Sequence, residues 1–180
     1  YIADPEVRQM PDGRIYLYGS RDEPGNAWCS RSYNVLSTSD LVHWDVEQTS
    51  FATQGLGKQT DYTEEILYAP DCIYRDGLYY LYYCLADGGE GVAVSASPYG
   101  PFKDPIGQPL VWQKGIGDDI DPTVFIDDDG QAYMYWGNPN LYYVKLNEDM
   151  ISYSGGIVKI GKLKTYQEGP WFYKRNGHYY

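Results

Sequence analysis

The sequence predicts an all-β fold of repeated small sheets, a β-propeller, on three observations. The first is a repeated turn. Gly13, Gly77, Gly130 and Gly177 each follow Asp or Asn, and each is followed three residues later by Tyr16, Tyr80, Tyr133 or Tyr180. Three repeats carry another tyrosine two further on: Tyr18, Tyr82 and Tyr135. The second is the spacing of these glycines, 64, 53 and 47 residues, close to the length of one four-stranded propeller blade. The third is an acid in one register. Asp4, Asp121 and Glu168 each lie nine residues before their glycine, and the second repeat has Tyr68 there, with Asp71 three further on.

The elements follow in order. Ile15-Tyr16-Leu17-Tyr18 and Ala132-Tyr133-Met134-Tyr135 alternate with period two, as half-buried strands do. Asp12-Gly13, Asp76-Gly77, Asp129-Gly130 and Asn176-Gly177 are hairpin turns, because Asn or Asp followed by Gly readily takes positive φ. The expected blades cover residues 4–67, 68–118 and 119–165, with a fourth begun over 166–180. A loop is expected around Ser20 to Asn26, and another over the non-alternating Thr53 to Glu65. Tyr33 to Trp44 reads as a strand, a turn and a short outer strand. A propeller removes its sheet edges by closing into a ring. Three blades and a hairpin do not close one, so this chain is expected to be a fragment of a protein of roughly 300 residues.

Composition narrows the partners. The 180 residues carry a net charge of -11, which disfavours nucleic acid and anionic membrane surfaces. No run approaches the apolar length of a membrane span, and no leader pattern is visible. Twenty-one tyrosines suit β-structure and surfaces that stack on sugar-like ligands. Cys29, Cys72 and Cys84 are odd in number and lack metal-ligand spacing; they read as buried or free thiols. That leans toward a reducing, cytoplasmic setting. The chain begins at Tyr1 rather than Met, which leaves an extracellular destination open.

Residues at one register on different blades converge at one mouth of the central channel. Asp4, Asp121 and Glu168 are therefore expected in one funnel, where mutual repulsion raises at least one pKa. One protonated and one ionised carboxyl is the requirement of glycoside hydrolysis, and acids on opposite sides of a channel leave room for the water of an inverting reaction. Tyr68, Trp136 and Trp171 lie near this register as candidates for sugar stacking, with Asp71 as a further substrate contact. Asp127-Asp128-Asp129 reads as a solvated turn rather than a calcium loop, because Phe125 stands where the first ligand would be. Asp118-Asp119 reads as an exposed loop. His43 and His178 lack a partner at ligand spacing, and no metal site is expected from them.

These segments together resemble glycoside hydrolase family 43, five-bladed β-propeller enzymes acting on arabinan, xylan and arabinoxylan. The matching residues are Ala3-Asp4-Pro5, Ser39-Asp40-Leu41-Val42-His43-Trp44, Ala69-Pro70-Asp71, Ser97-Pro98-Tyr99-Gly100-Pro101-Phe102, Ile120-Asp121-Pro122 with Asp127-Asp128-Asp129-Gly130, and Glu168-Gly169-Pro170. The resemblance implies Asp4 as general base, Glu168 as general acid, and Asp121 as the acid that orients Glu168 and raises its pKa. It implies release of α-L-arabinofuranosyl or β-D-xylosyl units from hemicellulose or its oligosaccharides, with no required cofactor. Some relatives hold a structural Ca2+ in the channel. Many carry Trp where this chain has Tyr68. The alternatives are an endo-α-1,5-L-arabinanase and a carbohydrate-binding propeller without catalysis; joint presence of three acids argues against the second. A scaffold of the WD type is disfavoured because Trp44-Asp45 occurs once. Sucrose-cleaving relatives open with Asn-Asp-Pro, where this chain has Ala3.

Overall fold

The structure is a computed structural model that describes residues 2–23, 25 and 28–180. Within the expected Ser20–Asn26 loop, Pro24 and Asn26 lie outside the described residues. The described residues form strands, turns and bends, without helix. The first sheet is an antiparallel meander of β1 (Ile2–Gln9), β2 (Ile15–Arg21), β3 (Ser32–Thr38) and β4 (Asp45–Ala52). β5 (Asp71–Arg75), β6 (Leu78–Cys84) and β7 (Glu90–Ser95) make the second. β8 (Thr123–Ile126), β9 (Ala132–Trp136), β10 (Leu141–Leu146) and β11 (Tyr153–Gly161) make the third, and β12 (Lys174–Arg175) pairs with β13 (His178–Tyr179). The first strands are the innermost, with β5 packed against both β1 and β8. This is the blade geometry of a propeller.

The turn chemistry explains the hairpins. Arg75 pairs with Leu78 and Arg175 with His178, so Asp76-Gly77 and Asn176-Gly177 are two-residue loops. All four of these residues have positive φ, the requirement of a type I′ turn. At Asp12-Gly13 and Asp129-Gly130 only the glycine is left-handed, and the loops are longer.

Alternation within β6 builds the core on both its faces. Tyr79, Leu81 and Tyr83 enter a cluster with Tyr16, Tyr18, Tyr33, Phe51 and Phe102 of the first sheet and its neighbours. Tyr80 and Tyr82 enter a second with Val124, Met134, Trp136 and Val144 of the third sheet. Each such ring contributes about 1.5–3 kcal/mol by burial, provided its hydroxyl finds a partner. The phenols of Tyr18, Tyr33 and Tyr82 donate to the carbonyls of Pro98, Tyr68 and Met150, each at 2.7 Å. Tyr133 and Tyr135 are half-buried, and Phe172 stacks on Tyr135 at 4.7 Å.

Three local readings change. Asp40–Trp44 is all turn, and the outer strand starts only at Asp45. The Asp127–Asp129 turn also anchors the last hairpin: Lys174 donates to Asp127 at 2.9 Å and Asp128 at 2.7 Å, and Tyr179 donates to Asp127. Asp118 and Asp119 are buried rather than exposed. Asp119 accepts from Trp136 Nε1 and from Gln113, and Asp118 accepts from Asn140 and Tyr142. Cys29, Cys72 and Cys84 are buried free thiols.

Candidate active site

Two of the three acids sit on strained backbone. Asp4 has φ 48° and Asp121 φ 61°, and each precedes a proline. Proline disfavours the right-handed region for the preceding residue, and Asp tolerates the left-handed one better than most. Such conformations cost about 1–3 kcal/mol and recur at functional sites. At Asp4 the β1–β2 register shifts between Ala3 and Glu6, a bulge that re-aims the side chain. Gly19 permits the bulge: a Cβ there would lie 2.7 Å from the Ala3 carbonyl oxygen. Ser20 Oγ then donates to Asp4 Oδ2 at 3.0 Å.

Glu168 is held from two directions. Asn138 Nδ2 donates to Glu168 Oε2 at 2.5 Å, and Gln167 donates to Asn138 Oδ1 at 2.9 Å. The Gly169 amide donates to Asp121 Oδ2 at 3.1 Å. Asp121 thus joins the first strand of the third sheet to the segment that carries Glu168.

Asp4, Asp121 and Glu168 line one pocket of about 720 Å³ together with Tyr68 and Trp171, within the size range of small-ligand clefts. Burial, and then the charges of Glu168 and Asp4, raise the Asp121 carboxyl to about 6. The raised carboxyl expected in the funnel is therefore found on Asp121. Behind it, Glu90 is fully buried, and its carboxyl has no hydrogen-bond partner among the described residues. Burial, followed by the charges of Asp119 and Asp121, pushes its pKa well above the usual carboxylate range.

Two candidate substrate contacts lie elsewhere. Trp136 is fully buried in the second core with its indole N–H on Asp119, and does not line the pocket. Its alternation with Ala132 and Met134 turns it inward. Asp71 is 1% exposed and sits beneath the pocket, where Arg8 and the Val124 amide take its carboxylate. An anion so placed is matched by buried donors rather than offered to a ligand.

Sequence reasoning missed Trp28, Asn138 and Glu6, all of which line the pocket. Trp28 is 65% exposed, and its ring stacks on Tyr68 at 5.6 Å. The available signal was strand direction. β1 and β8 leave the pocket, so β2 and β9 return to it, and the segments after them carry Trp28 and Asn138. Burial, and then Asp71, push the Glu6 carboxyl up to about 7, against Arg8 and the Trp171 indole.

The channel carboxylates, Glu6 and Asp71, already share the guanidinium of Arg8. Among the described residues no group of three His, Cys, Asp or Glu is placed to hold a metal ion. Paired in this way, Glu6 and Asp71 are not offered to a cation.

Asp121 makes stability depend on pH. Its folded pKa lies above the ordinary value, so its contribution is full below pH 4 and is lost as pH rises through about 6. Asp121→Asn removes the penalty of an ionised, enclosed carboxylate. It is expected to stabilise by about 2 kcal/mol at pH 8, with the gain vanishing near pH 4. Thermal melts across this range test it; a pH-independent difference would contradict it.

The fold and site define a β-propeller with a three-carboxylate pocket at the mouth of its channel. The family model described as Glycosyl hydrolases family 43 matches residues 1–180, and the chain belongs to that family. It is 45% identical, over 100% of its own length and 55% of the relative's, to "Beta-D-galactofuranosidase xynD" of Aspergillus niger. It is 30% identical to an "Arabinoxylan arabinofuranohydrolase" of Bacillus subtilis, over 99% of this chain and 42% of that one. The chain spans about half the length of these curated relatives. A solved α-L-arabinofuranosidase from Clostridium thermocellum superposes with a TM-score of 0.84 at 37% identity, covering 98% of this chain and 61% of that one. A β-xylosidase/α-arabinofuranosidase from a compost metagenome, solved with xylotriose in a calcium-free form, gives 0.83 at 28% identity, covering 99% and 68%.

Proposed function

We propose that this chain carries the catalytic acids of an inverting glycoside hydrolase that releases α-L-arabinofuranosyl or β-D-xylosyl units. The observation that carries this reading is the convergence of Asp4, Asp121 and Glu168 on one pocket. Asp4 comes from β1 and Glu168 from the segment ahead of β12, and Asp121 feels the charge of both. In the proposed reaction Glu168 donates its proton to the leaving oxygen as the glycosidic bond breaks. Asp4 takes a proton from the water that attacks the opposite face of the anomeric carbon. Asp121 holds the segment that carries Glu168 in place by accepting from the Gly169 amide. This chemistry requires no cofactor.

The names of similar proteins support arabinofuranosyl and xylosyl glycones. The 45% identity to a galactofuranosidase favours β-D-galactofuranosyl as a second reading. Hydrolysis of aryl α-L-arabinofuranoside, β-D-xyloside and β-D-galactofuranoside by the full-length protein decides among them. Turnover of either pentoside supports the first reading. Preference for the galactofuranoside would replace it. Turnover of none, with polymeric arabinan cleaved, would turn the reading to an endo-arabinanase.

A further inference from the structure

A line of polar contacts runs from the channel into the pocket wall. Arg8 Nη2 donates to both carboxylate oxygens of Asp71, at 3.0 and 2.9 Å, and to the Val124 carbonyl at 3.1 Å. Its Nε lies 2.8 Å from Glu6 Oε1. The same Glu6 oxygen accepts the indole N–H of Trp171 at 3.0 Å. One guanidinium and one carboxylate therefore tie the three innermost strands to the segment ahead of β12. Glu6 is 8% exposed and Trp171 55% exposed. The indole is anchored by its edge while much of its surface stays open beside the acids.

Trp171 lies outside the strands, and an exposed ring there has several rotamers open to it. A hydrogen bond to a buried carboxylate, itself fixed by Arg8, selects one. We propose that Glu6 is a positioning residue that sets sugar selection: it fixes Trp171 as the wall against which the bound sugar packs. This rests on the hydrolase reading above. Glu168, three residues earlier, has its own supports in Asn138 and in the bond between Gly169 and Asp121. Loosening Trp171 is therefore expected to act on sugar binding more than on bond breaking.

The test uses the full-length protein and the glycoside it turns over best. Glu6→Ala is expected to raise KM about tenfold, the worth of one hydrogen bond to a charged group, with kcat within about threefold. Glu6→Gln keeps an oxygen for the indole N–H and is expected to restore KM to within about threefold. Trp171→Phe keeps a ring but deletes the N–H, and is expected to raise KM too. Adding Glu6→Ala to it should cost less than about twofold more. A KM for Glu6→Ala within about twofold of the parent, or losses that simply multiply, would overturn the proposal. If Glu6→Ala fails to fold, Trp171→Phe decides: a raised KM supports the anchor and an unchanged one overturns it. If the parent protein turns over no glycoside, the hydrolase reading fails separately. The Trp171 indole N–H resonance, assigned by its loss in Trp171→Phe, then judges the anchor. A large shift in Glu6→Ala that is smaller in Glu6→Gln supports it, and an unmoved signal defeats it.

Discussion

Replacing Asp4 by Ala in the full-length protein is expected to abolish hydrolysis, lowering kcat by about 10³-fold or more. Sugar affinity, measured by titration calorimetry, should change only a few-fold. The loss follows from the role proposed for Asp4, which takes the proton of the attacking water. Ala at φ 48° adds backbone strain, so Asp4→Asn is the necessary companion. Asn tolerates the left-handed region and can still accept from Ser20, yet it cannot act as a base. Equal, severe losses in both variants, with both folded, assign the defect to proton transfer. Substantial turnover by Asp4→Asn would remove Asp4 from the base role.

Glu168→Gln carries the second large effect, and its signature is unequal loss. Oligosaccharides have poor leaving groups and need the proton, so kcat on them should fall by about 10²- to 10⁴-fold. Aryl glycosides with acidic phenols leave without full protonation, and their turnover should fall less than about tenfold. Gln retains a side-chain oxygen for the Asn138 amide, so the segment is expected to keep its place. Parallel losses on both substrate types would point to a positioning role for Glu168 instead.

Much of this fold was legible because its signals are local. Asp76-Gly77 and Asn176-Gly177 specify type I′ turns by themselves, and the tyrosine pairs after each turn show period two. The three acids were legible because each opens its repeat, so a shared register places them at one end of the channel. What escaped depends on partners remote in sequence. Asp71 reads as a pocket residue until Arg8, 63 residues earlier, is seen to claim it. Asp118 and Asp119 read as solvated charge, but Trp136, Asn140 and Tyr142 bring donors to them in the interior. Trp136 was misplaced for the same reason: its distance from the acid register is short, but the face of β9 that it occupies is the buried one. Trp28 was hidden because the segment that carries it shows no alternation.

Activation of water by Asp4 and protonation of the leaving group by Glu168 are tested most directly by the anomer first released. Proton NMR of the full-length protein acting on its best glycoside, recorded before mutarotation, reads it. The proposed mechanism predicts a sugar of inverted configuration, α from a β-linked substrate or β from an α-linked one. First release with retained configuration would require a covalent intermediate and a carboxylate nucleophile, and would contradict the roles of Asp4 as base and Glu168 as acid.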